Sequence, residues 1–126
     1  MQIPKITLAQ AQHTFLLNLA RLINYGASIG LTLSGGELYR TAEQQALYLQ
    51  RGLTRATHSR HQDRLACDLN VFVAGQYQRQ VSAYAPLGRY WQGLHPLNRW
   101  GGDWNGNRLP DEGFVDANHF EMRVPG

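Results

Sequence analysis

The segment LACDLNVFV, residues 65–73, sets the tightest limit on how this chain can fold. Leu65, Cys67, Leu69, Val71 and Val73 are apolar at every second position, the period of a strand with one buried face. Such a strand needs neighbours for its backbone and a cover for its apolar face. The alternate positions hold Ala66, Asp68 and Asn70, so a carboxylate interrupts an otherwise apolar run, seven residues after His61. A sheet edge, a salt bridge or a metal ion would each account for it.

The rest of the chain supplies cover and partners. Residues 7–24 predict an amphipathic helix: Leu8, Phe15, Leu16, Leu19 and Ile23 fall near helical spacing, with Thr7 as N-cap. Gly26 and Gly30 break that pattern, and Leu31 to Leu33 read as a short strand. Thr41 to Gln44 has capping-box spacing and Gly52 is a stop signal, which predicts a helix over 42–51. A polar loop over 53–63 leads into the strand at 64–73, with a turn at 75–77. A third helix is expected over 86–94, with Pro86 near its first turn. The Gly-, Asn- and Asp-rich stretch 100–113 is a long loop, and loops of that length in small domains are often functional. At the end, Phe120, Met122 and Val124 alternate with His119, Glu121 and Arg123, which predicts another half-buried strand. One α+β domain over 1–126, a small central antiparallel sheet flanked by helices, is the expected architecture.

Composition narrows the class. At 126 residues and 43% hydrophobic content, the chain suits one core and not a disordered tract. No apolar run approaches the ~20 residues of a membrane span, and 1–12 lack the features of a signal peptide. Synthesis in the cytoplasm without membrane insertion is therefore expected, with a monomer as the simplest state. The single cysteine, Cys67, excludes an internal disulfide and lies on the apolar face of its strand, where it reads as a small buried hydrophobe. A net charge of +3 is spread without the basic stripe that nucleic-acid binding requires.

Asp68 on one strand and His119 on the other are possible ligands beside apolar faces, and His61 precedes the first by a short loop. Two histidines and one carboxylate make a catalytic zinc set with an open fourth position. Taken singly, each is more often a surface or hydrogen-bonded residue, and His-x6-Asp by itself says little. Of the other histidines, His13 and His95 read as structural or exposed, and His58 is the substitute should His61 fail.

The conjunction says more. Ser59-Arg60-His61, Ala66-Cys67-Asp68, Gly101-Gly102-Asp103-Trp104 and Asp116-Ala117-Asn118-His119 follow one another in that order. This resembles the zinc metallopeptidases that include D-Ala-D-Ala dipeptidases and carboxypeptidases and phage L-alanyl-D-glutamate endopeptidases, whose signature is S-x-H-x-x-G-x-A-x-D followed by Asp or Glu, x-x-H. The resemblance covers about residues 34–121. It implies a hedgehog/D,D-peptidase-like fold, zinc bound by His61, Asp68 and His119, Asp116 as general base, Arg40 over the substrate, and Ser59 shaping the ligand loop or touching substrate. Glu121, on the same strand face as His119, would either orient a ligand histidine or form a surface ion pair; for Arg40 the competing reading is a salt bridge with Glu37 or Glu43. Two departures stand out: Arg64 occupies the motif glycine, at a cost of ~1 kcal/mol if that position needs positive φ, and Asp116 stands where some members have Glu.

The implied activity is hydrolysis of peptidoglycan stem peptides, at the L-Ala–D-Glu bond, by a phage or prophage endolysin that reaches the wall through a holin-type pore. D-Ala-D-Ala carboxypeptidase or dipeptidase activity and a non-catalytic zinc-containing wall-binding module are the alternatives. Asp103, Asn105 and Asn107, with Asp111 and Glu112 following, begin like a calcium loop. Arg108 at the sixth position and the absence of Glu at the twelfth exclude an EF-hand, leaving an irregular Ca2+ site as an expectation. Trp91 is expected in the core, while Trp100 and Trp104 are open between core and substrate stacking.

Overall fold

A computed structural model of the chain describes residues 5–107 and 115–123. The elements in order are α1 (Leu8–Ser28), β1 (Thr32–Gly35), α2 (Ala42–Gln50), β2 (Ala66–Val73), β3 (Gln76–Tyr77), α3 (Val81–Leu94), β4 (Asn98–Trp100) and β5 (His119–Met122). The sheet is antiparallel, in the order β1-β2-β5-β4, and β3 pairs with β2 as a hairpin. The α+β architecture read from the sequence is the one observed.

Strand β2 carries the sheet because it changes partner halfway. Its outer half pairs with β1, from Thr32 opposite Phe72 to Gly35 opposite Leu69. Its first half pairs with β5, setting Ala66 against Glu121, Cys67 against Phe120 and Asp68 against His119. The two faces are chemically distinct. Cys67, Leu69, Val71, Phe120 and Met122 join one core cluster with Phe15 and Leu22 of α1 and Leu87 and Trp91 of α3. The opposite face carries Asp68, His119 and Glu121. Trp91 is fully buried, its ring edge-on to Phe15 and Phe120 at 5.5 and 6.2 Å.

The helices depart from the sequence reading in instructive ways. Helix α1 buries Ala11, Phe15, Asn18, Leu19, Leu22 and Gly26, whereas Leu8, Leu16 and Ile23 are exposed. Gly26 does not end the helix. A Cβ there would meet Leu33 Cδ1 at 2.8 Å and Leu87 Cδ2 at 3.1 Å, so glycine permits close packing of α1. The helix stops at Gly30, with φ +85°, where the Leu31 amide donates to the Gly26 carbonyl. The full reciprocal capping box stands at Thr7 and Gln10; at Thr41 the hydroxyl accepts from the Gln44 amide. Helix α3 begins five residues before Pro86, which therefore lies inside it. Tyr84 anchors that early start: its hydroxyl donates to the Gln78 carbonyl and accepts from the Val71 amide.

Strand β5 also differs from expectation. It is buried on both faces, since its polar residues turn toward other side chains and not toward solvent. Among the described residues no helix is long and apolar enough to cross a membrane.

Candidate metal centre and active-site cleft

Register alone sets two side chains together. Asp68 and His119 are cross-strand partners, and His119 Nδ1 lies 3.2 Å from Asp68 Oδ1. His61 comes from the loop before β2. The Ser59 hydroxyl accepts from the His61 amide at 3.1 Å, tightening that loop, and the Ser59 amide donates to Gln62 Oε1. At its end Arg64 adopts φ +59°, so a non-glycine residue carries the left-handed conformation in the turn. The Arg64 guanidinium rests 4.3 Å from the centre of the Tyr39 ring, a cation–π contact that offsets part of the backbone strain.

His61 is 1% exposed, and its Nδ1 donates to the Leu38 carbonyl at 2.8 Å. That bond fixes the tautomer and turns Nε2 toward Asp68 Oδ1, 3.3 Å away. The approach is an ion-pair distance without hydrogen-bond alignment, so Nε2 is a buried nitrogen with no hydrogen-bond partner. On the far side, His119 Nε2 bonds Glu121 Oε1 at 2.8 Å. One ligand atom from each of His61, Asp68 and His119 lies within 4.8 Å of the others, the single such group among the described residues. Two imidazole nitrogens and a carboxylate oxygen converging in a largely buried spot fit a cation once His119 gives up its Nδ1 proton. Each imidazole is braced through its other nitrogen, as ligand histidines are. The set fits a zinc ion.

The electrostatics follow from this crowding. Burial would raise the Asp68 carboxyl, but the His119 hydrogen bond and nearby His61 pull it down to about 2. Burial would lower His119, yet Asp68 and Glu121 hold its imidazole up at about 9. Glu121 sits below its usual range because His119 and Arg99 outweigh its burial. The Asp116 carboxyl is raised, chiefly by burial. Burial likewise pushes the Cys67 thiol to about 11; it faces the core and takes no part in the site.

A cleft of about 570 Å3 opens over these groups, lined among others by Arg40, Ser59, Arg99, Trp104, Asp116 and His119. Asp116 is positioned by backbone: its amide donates to the Gly101 carbonyl, and its own carbonyl accepts from the His119 amide. Gly101 is required there, because a Cβ would stand 2.0 Å from the Asp116 carbonyl oxygen. Gly36 is similarly pressed against Asp68, with 2.9 Å from a would-be Cβ to the Asp68 Cβ. Arg40 lines the cleft but is fully engaged, with Nε and Nη2 on Glu37 and Nη1 on Gln45 Oε1 at 2.7 Å. Its ion pair with Glu37 is real, and the pairing with Glu43 does not occur among the described contacts.

Glu121 combines both expected contacts, since Oε1 meets His119 and Oε2 takes Arg99 at 2.6 Å, but it is buried and not on the surface. His58 pairs with Asp63 at 2.8 Å and stays outside the ligand group; His13 is exposed, and His95 Nδ1 accepts from the Leu97 amide.

At the first position of the expected calcium loop the structure gives a carboxylate engaged by protein. Asp103 is buried, and its Oδ2 takes Arg89 Nη1 at 2.6 Å and Gln92 Nε2 at 2.9 Å, so helix α3 claims this carboxylate. Asn105 Oδ1 accepts from the Asn107 amide in a local turn. Asp111 and Glu112 lie outside the described residues. Trp100 proves to be core, packed against Gly88 and Gly102 and donating to the Ala117 carbonyl at 2.6 Å. Trp104 is half-buried in the cleft wall, with its ring 5.4 Å from that of His119. Sequence reasoning missed Arg99, which β4 delivers beside Glu121; the only available signal was its place next to an apolar Trp100.

No protein-family model and no curated protein matches the chain. Among solved structures it is similar to the crystal structure of the Serratia marcescens L-Ala D-Glu endopeptidase ChiX, with a TM-score of 0.64 and 21% sequence identity. The match covers 93% of this chain and 89% of that one. At that identity the likeness establishes architecture: the chain has the α+β fold of that endopeptidase over nearly its whole length.

Proposed function

We propose that the protein is a zinc-dependent peptidase that hydrolyses peptidoglycan stem peptides at the L-Ala–D-Glu bond. The observation that carries this reading is the convergence of His61 Nε2, Asp68 Oδ1 and His119 Nδ1 at a cleft that also holds Asp116. The choice of bond rests on the likeness to an L-Ala D-Glu endopeptidase. A zinc ion bound by the three residues would polarise a scissile carbonyl and make a water molecule acidic.

The chain's own groups divide the remaining work. Asp116, raised by burial, accepts a proton at its carboxylate and returns it to the leaving amine. Leu38 and Glu121 hold the imidazoles in orientation. Arg40, immobilised by Glu37 and Gln45, contributes fixed positive charge to the cleft wall. Ser59 keeps the His61 loop closed. In the biological setting we infer a phage or prophage endolysin, released to the wall through a holin-type pore.

The test is digestion of purified peptidoglycan with and without chelator, with the released termini identified by mass spectrometry. A new D-Glu amino terminus that chelation abolishes is the expected product. Loss of terminal D-Ala would transfer the protein to the carboxypeptidase reading. No product from several wall types, zinc supplied, would sink the peptidase reading in favour of a binding module.

A further inference from the structure

The cleft is lined by four arginines, Arg40, Arg55, Arg60 and Arg99, against the carboxylates of Asp116 and Glu121. Glu37 and Asp63 already neutralise Arg40 and Arg60, so any attraction for an anionic substrate depends on how each remaining guanidinium is held. The arginines are not equivalent. Arg40 is only 12% exposed, with every guanidinium nitrogen engaged. Arg60, held at Nη1 by Asp63, belongs to the loop ahead of His61. Arg99 is 37% exposed, and its Nε and Nη2 both donate to one atom, Glu121 Oε2, at 3.1 and 2.6 Å. Its Nη1 has no partner among the described residues. The guanidinium lies 5.8 Å from the centre of the Trp104 ring, and that ring lies 5.4 Å from the His119 ring.

Glu121 thus clamps one edge of Arg99 while its other oxygen braces a ligand histidine. An arginine held this way has already lost most of its side-chain freedom and keeps a charged donor for a ligand. Trp104 lies against the same guanidinium and limits the directions from which a ligand can reach it.

We propose that Arg99, held by Glu121 and flanked by Trp104, is a specificity-determining residue that recognises a free carboxylate on the substrate residue flanking the scissile bond. The inference rests on the peptidase reading and adds a preference to it. D-Glu on the amine side of the bond carries such a carboxylate; the same residue with that group amidated does not. A carboxamide keeps the shape but brings no charge to Arg99.

The experiment compares two synthetic stem peptides, identical except for carboxylate or carboxamide on that residue, with the zinc-loaded full-length protein. The carboxylate peptide should be favoured in kcat/KM by about ten- to a hundredfold, the value of one hydrogen bond to a charged group. The Arg99→Gln variant should collapse the ratio toward one, mainly through KM, and Arg99→Lys should restore part of it. Zinc content measured on each variant separates loss of recognition from disturbance of His119 through Glu121. Equal rates for the two peptides with the unmodified protein, or a ratio that survives Arg99→Gln with zinc retained, would overturn the proposal. Should Arg99→Gln fail to fold, the ratio of the unmodified protein together with Arg99→Lys still decides. Cleavage of neither peptide would remove the peptidase reading itself, whereas parity removes only the role of Arg99.

Discussion

Zinc added to the metal-free protein at pH 7 should expel about one proton per ion, because a ligand must surrender its hydrogen to bind metal. The site identifies that proton. In the metal-free protein His119 titrates near 9, with Glu121 at Nε2 and Asp68 at Nδ1. At neutral pH the imidazole is therefore charged, and the Nδ1 proton must leave for that nitrogen to become a ligand. Asp68, at about 2, is already ionised and releases nothing. Removing a proton from a group two units above the ambient pH costs about 2.7 kcal/mol. Zinc affinity should then rise about tenfold per pH unit from pH 6.5 to 9 and level off above it. Titration calorimetry in buffers of different ionisation enthalpy reads the proton count directly. A count near zero at pH 7, or an affinity flat over that range, would refute the reasoning and mean that His119 is already neutral before the ion binds.

The same shifts give the metal-free protein a stability window. The raised His119 contributes stability that is full below pH 6.5 and lost as pH rises through 9, while the lowered Asp68 contributes above pH 4 and is lost as pH falls through 2. Thermal melting across this range should fall off on both sides, and a melting temperature that climbs from pH 7 to 9 would contradict it. Asp116→Ala should retain zinc yet lose about 10²–10⁴-fold in kcat; undiminished cleavage would remove Asp116 as the base. Gly101→Ala drives a methyl into the Asp116 carbonyl and should cost about 1–3 kcal/mol together with most activity. An unchanged melting temperature for that variant would mean the 101–116 backbone pair relaxes freely.

The parts of the molecule legible in the sequence are those whose physics is local. The alternation of Leu65 to Val73 declared β2, and the spacing of Phe15 and Leu19 declared α1. Asp68 and His119 each break an otherwise apolar strand, and the fold sets them opposite one another. What escaped was decided by distant contacts. Gly26 looks like a helix breaker until Leu33 and Leu87 are seen against it. Pro86 looks like a helix start until Tyr84 ties the preceding turn to Val71 and Gln78. Strand β4 has three residues, too few for a period, and exists because β5 pairs with it. Nothing nearby in sequence announces the pairing of Asp103 with Arg89, 14 residues earlier on α3.

The pairing of β2 with β5 has a consequence for how the molecule assembles. Asp68 and His119 are 51 residues apart in the chain, and only one alignment of the two strands sets them face to face. A slip of one residue inverts every side chain of β5, sending His119 into the core and Phe120 to the polar face. The slipped form has no third ligand to offer. An ion bound by His61, Asp68 and His119 would therefore stabilise the correct alignment and leave its near neighbour unaided. Such an ion would thus proofread the strand alignment before the protein meets any substrate.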